Sequence, residues 1–418
     1  MQMPQPVLFT LQWSTLAGGV QRCTLLKARL LDRQRWDPWI LCPPDGGIIR
    51  VPLYPPVHVV TLGRGESWHF APSHPIASVT DWVRVAHKIL RLVQKQGIRL
   101  IHTNSLLDTS AACVIKLLVP GLAVIWQEHG LHYRWHSRTL IRWLLKNVTC
   151  VVTPSQMRLK QLIFEGLDPS RGEFLPNGTD IHHGVSEVGP PSQAEDNRPL
   201  RVGVVGRMSP LKDYETFLEA ASIVAHSHPR ACFSIVGGPE PDSDETADYD
   251  RRLRQLAAAP PLAGRVDFHG RMENVAPILE TFDVFVSSSL TESFGIAIIE
   301  AMALAKPIVA TAVDAVLEIV LQGETGYLVP ARNAEAMADR ISRLLDNASL
   351  RAEMGRKARE HVREKYASHR LAARWQDLYE RALRCEEAPI AARERGHPEE
   401  RSGRTPKESC LNDSRAPS

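Results

Sequence analysis

Residues 201–224 read RVGVVGRMSPLKDYETFLEAASIV, and three unlike patterns follow one another along them. Arg201 to Val205, apolar after its first residue, is a run of strand length. Gly206-Arg-Met-Ser-Pro-Leu-Lys212 is a turn, and from Tyr214 the spacing of Phe217, Leu218, Ala221 and Val224 predicts a helix with one apolar face. Strand, turn and amphipathic helix make half of a βαβ unit, which implies a parallel sheet. In such sheets ligands lie beyond the carboxyl ends of the strands, where helix N-termini favour anions. Arg207 and Lys212 would both emerge there, a fork-like guanidinium and a point-charge ammonium suited to a diphosphate; a solvated pair of charges is the plain alternative.

The same alternation extends in both directions. Before it, Val7 to Leu11, Trp39 to Leu41, Val57 to Val60, Ile98 to His102, Val124 to Gln127 and Val148 to Thr153 read as strands, with helices such as Gln21 to Arg33 and Val83 to Lys95 between them. After it come Cys232 to Val236, Val266 to Phe268, Val284 to Val286 and Ile308 to Thr311, with a helix over Ile296 to Leu304. The stretch 186–199, SEVGPPSQAEDNRP, has linker composition. The expected organisation is therefore α/β: a Rossmann-like, doubly wound domain over 1–185, a linker, and a second such domain over 200–385 facing the first. The last helix, about 366–382, is expected to pack back on the first domain. Residues 386–418 carry many charges and almost no large apolar residues, and are expected to be disordered.

Composition narrows the function. A chain of 418 residues with 44% hydrophobic and 23% charged residues is of ordinary globular type. No apolar run approaches the roughly 18 residues that would mark a membrane span. The first residues lack the basic region of a signal peptide, so the expected location is cytoplasmic, with peripheral attachment to the inner face of the membrane as an extension of that reading. Seven scattered cysteines without a Cys-x-x-Cys pair read as inert thiols. No cluster has metal spacing, and Asp242-Ser-Asp244 reads as a solvated acidic loop. The net charge of +3 conceals an asymmetry, because residues 1–190 carry 20 Lys and Arg against 12 Asp and Glu. The surplus sits between Arg84 and Lys146. There Arg134, Arg138, Arg142 and Lys146 recur every four residues as one helical stripe that could meet anionic lipid, or simply solvent. Nucleic acid is excluded as a partner by the missing motifs and the acidic second half.

Two further turns hold candidate site residues. Gly18 and Gly19 lie between the first strand and its helix, where the backbone could approach a phosphate. Leu290-Thr-Glu-Ser-Phe-Gly-Ile-Ala-Ile-Ile-Glu-Ala-Met302 places Glu292 in a loop and Glu300 within a helix. Gly295 to Glu300 spans roughly 7 to 8 Å at about 1.5 Å per residue, about the reach from a diphosphate to the ribose of one nucleotide. Glu300 stands among Ile296, Ile298, Ile299, Ala301 and Met302, and a carboxylate so placed needs partners. Ribose hydroxyls would serve.

Taken in order, Gly206-Arg-x-Ser-x-x-Lys212, His269-Gly270, the pair Glu292-x7-Glu300, Leu175-Pro-Asn-Gly178 and Glu324-Thr-Gly-Tyr-Leu-Val-Pro330 resemble the family 4 retaining glycosyltransferases, of two-domain GT-B fold. The resemblance is dense from Leu200 to about Tyr379 and sparser earlier, where it rests on Gly18-Gly19, His129-Gly130 and Val151-Val-Thr-Pro-Ser155. It implies transfer of a sugar from a UDP- or GDP-sugar to a glycan or lipid-linked acceptor, without a metal or other cofactor. By the resemblance Arg207 and Lys212 bind the donor diphosphate, Glu300 the ribose, and Glu292 with Phe294, Gly295 and Ile296 the sugar. His269, Gly270 and Arg271 join the donor site, Gly18 and Gly19 approach from the first domain, and His129 is the active-site histidine. Asp314-Ala315 departs from the Gly-Gly common at that position. Two rivals share the fold: an epimerase or phosphorylase, and an inactive sugar-nucleotide-binding scaffold.

Overall fold

The computed structural model describes residues 3–11, 19–44, 55–63, 75–129, 138–179, 198–240 and 243–387. Gly18, Gly130, Arg134, Asp242, Cys410, nearly all of 186–199 and everything after Glu387 lie outside them.

The first half forms a seven-stranded sheet from β1 (Gln5–Thr10), β2 (Trp36–Cys42), β3 (His58–Thr61), β4 (Leu100–Thr103), β5 (Ala123–Gln127), β6 (Cys150–Thr153) and β7 (Gly172–Phe174). Its helices are α1 (Gly19–Leu30), α2 (Pro75–Gln96), α3 (Leu106–Leu118), α4 (Arg138–Asn147) and α5 (Gln156–Phe164). The second half forms a six-stranded sheet from β8 (Arg201–Val205), β9 (Cys232–Val236), β10 (Val266–Gly270), β11 (Val284–Ser287), β12 (Ile308–Thr311) and β13 (Gly326–Val329). Around it run α6 (Tyr214–Ser227), α7 (Asp244–Ala257), α8 (Ala276–Glu280), α9 (Ile296–Ala303), α10 (Val316–Ile319), α11 (Ala334–Asp346) and α12 (Ala348–Lys365). The last helix, α13 (Ser368–Glu387), returns to the first sheet, where Leu371, Trp375, Leu378 and Tyr379 pack among Phe9, Trp36, Leu100 and Ile125.

The described strand pairings are parallel, and β4, β5, β6, β11 and β12 are buried at every residue, as sheets covered on both faces require. Helices α2 to α5 cover one face of the first sheet, and α1 with α13 the other. Four elements differ from the sequence reading: β7 is a strand the sequence pattern does not announce, α13 runs on to Glu387 with Glu386 buried where disorder is expected from 386, and α2 and β13 differ as follows. Helix α2 starts at Pro75, eight residues before Val83, with proline at a position where its missing N–H costs nothing. The sequence places Gly326–Val329 within a motif, and the structure makes it strand β13.

Topology fixes where a ligand can lie. The strand orders are β3-β2-β1-β4-β5-β6-β7 and β10-β9-β8-β11-β12-β13, so the direction of winding reverses between β1 and β4 and again between β8 and β11. Such reversals open a crevice at the strands' carboxyl ends. The loops after β1, β4, β8 and β11 are the ones that carry Gly19, Asn104, Lys212 and Glu292.

Candidate active site

The loop after β8 runs from Gly206 through a short 3-10 turn, Pro210–Lys212, into α6. Arg207 projects from it with 71% of its side chain exposed, 3.8 Å from Glu240. It is free to reach into the crevice. Lys212 instead turns inward and pairs with Glu292 from the loop after β11, so the two switch-point loops are joined by opposite charges. Beneath them lies the buried Tyr214 hydroxyl, which has no hydrogen-bond partner among the described residues. Burial and the neighbouring Glu292 push that phenol well up, so it stays a neutral donor. The sequence reading missed Tyr214 because it resembles any aromatic at the start of an amphipathic helix.

Glu292 is held from three sides. Ser289 Oγ donates to its carboxylate at 3.3 Å, Lys212 pairs with it, and its own N–H donates to Asp314 Oδ2 at 2.9 Å. The same Asp314 oxygen accepts the Thr291 hydroxyl at 2.5 Å. Asp314 has φ of 39°, the left-handed region where glycine is the usual occupant, so the backbone here keeps the shape that glycine would favour. The departure from Gly-Gly therefore has a structural account. The carboxylate folds onto the loop that presents Glu292.

After Glu292 the chain turns at Gly295, with φ of 98°, and enters α9, whose N-terminus has no side-chain cap. Phe294 is buried, edge-on to Tyr366. Ile296 meets the first half of the chain: a Cβ on Gly19 would stand 2.6 Å from Ile296 Cδ1, so the first turns of α1 and α9 touch. One turn further along both helices stand Arg22 and Glu300, and here the structure corrects the sequence reading, which left Glu300 without a protein partner. Arg22 Nη2 lies 2.5 Å from Glu300 Oε1 and Nη1 donates to Oε2 at 3.3 Å. Burial pushes the Glu300 carboxyl up and the guanidinium opposes it.

His129 follows β5 in the first half and donates from Nε2 to Asn104 Oδ1 at 3.0 Å. The tautomer is fixed by elimination, because Asn104 Nδ2 donates to the Thr10 carbonyl, leaving Oδ1 as acceptor. Nδ1 is then the bare nitrogen. Burial, with Lys27 adding, pushes the imidazole down to about 3, so it is neutral at ordinary pH. Lys27 is itself buried, donates to Gln127 and lies 4.4 Å over the Trp375 ring. The residue before His129, Glu128, is clasped by Arg158 at 2.9 and 3.3 Å.

A second carboxylate crosses between the halves. Glu318, on α10, accepts the N–H groups of Gln156 and Met157 at 2.9 and 2.8 Å, capping α5 from the opposite side. His269, Gly270 and Arg271 lie two strands from β8, where His269 Nε2 meets Ser234 Oγ at 3.3 Å and Arg271 packs against Gly238. Gly270 accepts the Gly237 N–H at 2.9 Å, and Gly237 packs on the Gly206 carbonyl, so the end of β10 adjoins the start of the β8 loop.

The basic surplus of the first half is smaller at the surface than its sequence implies. Lys116 pairs with Glu386 at 2.6 Å and Arg99 with Glu387 at 2.9 Å, both acids coming from α13. Arg138, Arg142 and Lys146 are exposed on α4, opposite buried Ile141, Leu144 and Leu145. Among the described residues no helix is long and apolar enough to cross a membrane, and no three His, Cys, Asp or Glu side chains are grouped to hold a metal ion. The thiols of Cys23, Cys42, Cys113 and Cys150 are buried and pushed up to about 11 or 12.

Residues 17–183 match the family described as Glycosyltransferase Family 4, and residues 187–361 the family described as Glycosyl transferases group 1. The chain is 28% identical over 261 residues to the D-inositol 3-phosphate glycosyltransferase of Corynebacterium efficiens, covering 58% of this chain and 59% of that one. With several curated relatives the matched stretch is about a third to three fifths of the relative's length. It is 22% identical over 386 residues to the UDP-Gal:alpha-D-GlcNAc-diphosphoundecaprenol alpha-1,3-galactosyltransferase of Escherichia coli, covering 88% and 95% of the two chains. Among solved structures, sucrose-phosphate synthase from Thermosynechococcus elongatus superposes with a TM-score of 0.76 at 22% identity, covering 91% of this chain and 99% of that one. The fold is thus GT-B.

Proposed function

We propose, for a chain that belongs to the family 4, group 1 glycosyltransferases, that it moves a sugar from a UDP- or GDP-sugar to a glycan or lipid-linked acceptor with retention at the anomeric carbon. The observation that carries this reading is the joining of Lys212 and Glu292 across a switch point, with the uncapped start of α9 and Glu300 behind them. A diphosphate laid over the β8 loop would meet Lys212 and the exposed Arg207, while its nucleoside reaches along α9 to Glu300. Lys212 has three N–H donors and can keep Glu292 while serving a phosphate. Glu292 would accept hydroxyls of the transferred sugar, and neutral His129, with Nδ1 bare, would face it as a hydrogen-bond acceptor from the first half.

In the proposed reaction the acceptor hydroxyl attacks C1 on the face from which the diphosphate departs. The C1–O bond breaks with its electron pair going to the phosphate oxygen, and an oxygen of that phosphate takes the acceptor's proton. Arg207 and Lys212 offset the charge that develops, a role they would fill without a metal ion. A diphosphate-linked lipid acceptor is supported by the likeness to the diphosphoundecaprenol-dependent relative and by the exposed basic face of α4, whose charge would suit an anionic membrane surface. Asp314, folded onto the Glu292 loop instead of into the crevice, speaks against the scaffold reading.

The test is nucleotide release from a panel of UDP-, GDP- and ADP-sugars, with and without a prenyl-diphosphate-linked sugar. Release from one UDP- or GDP-sugar that rises with the acceptor, and a product keeping the donor's anomeric configuration, is expected. No binding of UDP or GDP by calorimetry would overturn the reading.

A further inference from the structure

We propose that Arg22 is a positioning residue of the ribose subsite: from the opposite half of the chain it fixes the Glu300 carboxylate in the orientation that receives the ribose hydroxyls, so that the subsite is complete only when the cleft is shut. This rests on the reading of Glu300 as the ribose acceptor and adds the residue that makes it competent.

The geometry begins with a close approach. Gly19 opens α1 and Ile296 opens α9, and the space a side chain at residue 19 would need is taken by the Ile296 side chain. Arg22 is three residues after Gly19 and Glu300 four after Ile296, so each stands one turn further along the same helix face. Contact between the helix starts therefore brings guanidinium and carboxylate together. Among the described residues each is the other's one charged partner within salt-bridge distance. The side chain of Glu300 is 12% exposed on a helix whose other residues are apolar, and Arg22 is one third exposed on a helix with no acidic residue in its first turn.

The pair leaves room for a ligand. A carboxylate offers about four acceptor positions, and the fork of Arg22 occupies one on each oxygen. About two remain. A ribose presents two adjacent hydroxyls, each a donor, so Arg22 and ribose can hold the same carboxylate together. Arg22 also keeps a largely buried carboxylate from standing uncompensated, which an open cleft would not do.

Calorimetric titration tests the proposal, using whichever of UDP and GDP the wild type binds together with its 2′-deoxy form. The wild type is expected to prefer the ribose form by about tenfold, the size of one charge-assisted hydrogen bond at its low end. In Arg22→Met that preference should fall to about twofold while affinity for the deoxy form stays near wild type, and Arg22→Lys should restore part of it. An unchanged preference in Arg22→Met, or an equal loss for both forms, would overturn the role of Arg22. If Glu300→Gln also kept the full preference, the failure would lie in the ribose assignment of Glu300 itself.

Discussion

Replacement of Asp314 separates two effects that act in opposite directions. One oxygen of Asp314 accepts both the Thr291 hydroxyl and the Glu292 N–H, and its backbone occupies the left-handed region. Hydrogen bonds to a charged group contribute about 1.5 to 3 kcal/mol each; because this oxygen is shared and half-buried, about 3 kcal/mol for the two together is the working figure. A residue with a Cβ in the left-handed region costs about 1 kcal/mol relative to glycine. Asp314→Ala loses the bonds and keeps the strain, so it should destabilise by about 3 kcal/mol. Asp314→Gly loses the same bonds but sheds the strain, for about 2 kcal/mol, and Asp314→Asn, which keeps a carbonyl acceptor, about 1 kcal/mol or less. Denaturant unfolding of the four proteins gives this order directly. The loop that presents Glu292 must be reordered when donor binds, so affinity for the nucleotide-sugar should fall by up to the same free energy, roughly thirtyfold for Asp314→Gly. If Asp314→Gly were as stable as wild type and bound donor equally well, Asp314 would be a mere substitute for glycine and the holding role would be wrong.

Lys212→Ala and Arg207→Ala should each lower turnover at saturating donor by about a hundredfold to a thousandfold, as loss of a preorganised electrostatic group typically does, measured by nucleotide release; a change within threefold would remove these cations from the departing diphosphate. Burial holds the Lys27 ammonium down to about 7 against an ordinary 10.5, so between those values the unfolded chain carries a proton that the folded chain lacks and stability rises with pH. Below about pH 7 the cost of the buried charge is present in full. Lys27→Met should therefore raise Tm most at pH 6, with the gain shrinking toward pH 10, and a gain independent of pH would refute it. Charge reversal of Arg138, Arg142 and Lys146 should abolish sedimentation with anionic liposomes at low salt, each contributing about 1 kcal/mol, while nucleotide affinity stays unchanged; equal sedimentation of variant and wild type would leave α4 as a solvated face.

The strand, turn and helix of residues 201–224 were legible because each pattern is local: a run of β-branched residues, a turn with glycine and proline, then apolar residues at helical spacing. Glu292 and Glu300 were legible for the same reason, one by its place in a loop and the other by its misfit on an apolar helix. The partners of those residues were not. Arg22 and Glu300 stand 278 positions apart, and helical period says nothing about which face meets which across a cleft. Glu318 reads as an ordinary exposed acid beside a short helix until the opposite half brings α5 against it. The strand β13 escaped because Gly326-Tyr-Leu-Val329 is four residues long and opens with glycine, too short for period to declare itself. Asp314 was noticed as a departure, but only its dihedral angle and its two donors show what the side chain does.

The return of α13 to the first sheet has a bearing on biosynthesis. Phe9, Trp36, Leu100 and Ile125 belong to strands made early, yet the side chains that cover them, Leu371, Trp375 and Tyr379, leave the ribosome only after the whole second sheet. At about 5 to 20 residues per second, the roughly 200 residues between β7 and the end of α13 take about 10 to 40 s to make. For that interval half of one sheet face stands bare in the nascent chain. The first domain is thus finished by the end of the second, and a polypeptide released short of Trp375 would present a wide apolar surface to whatever chaperone or protease it met.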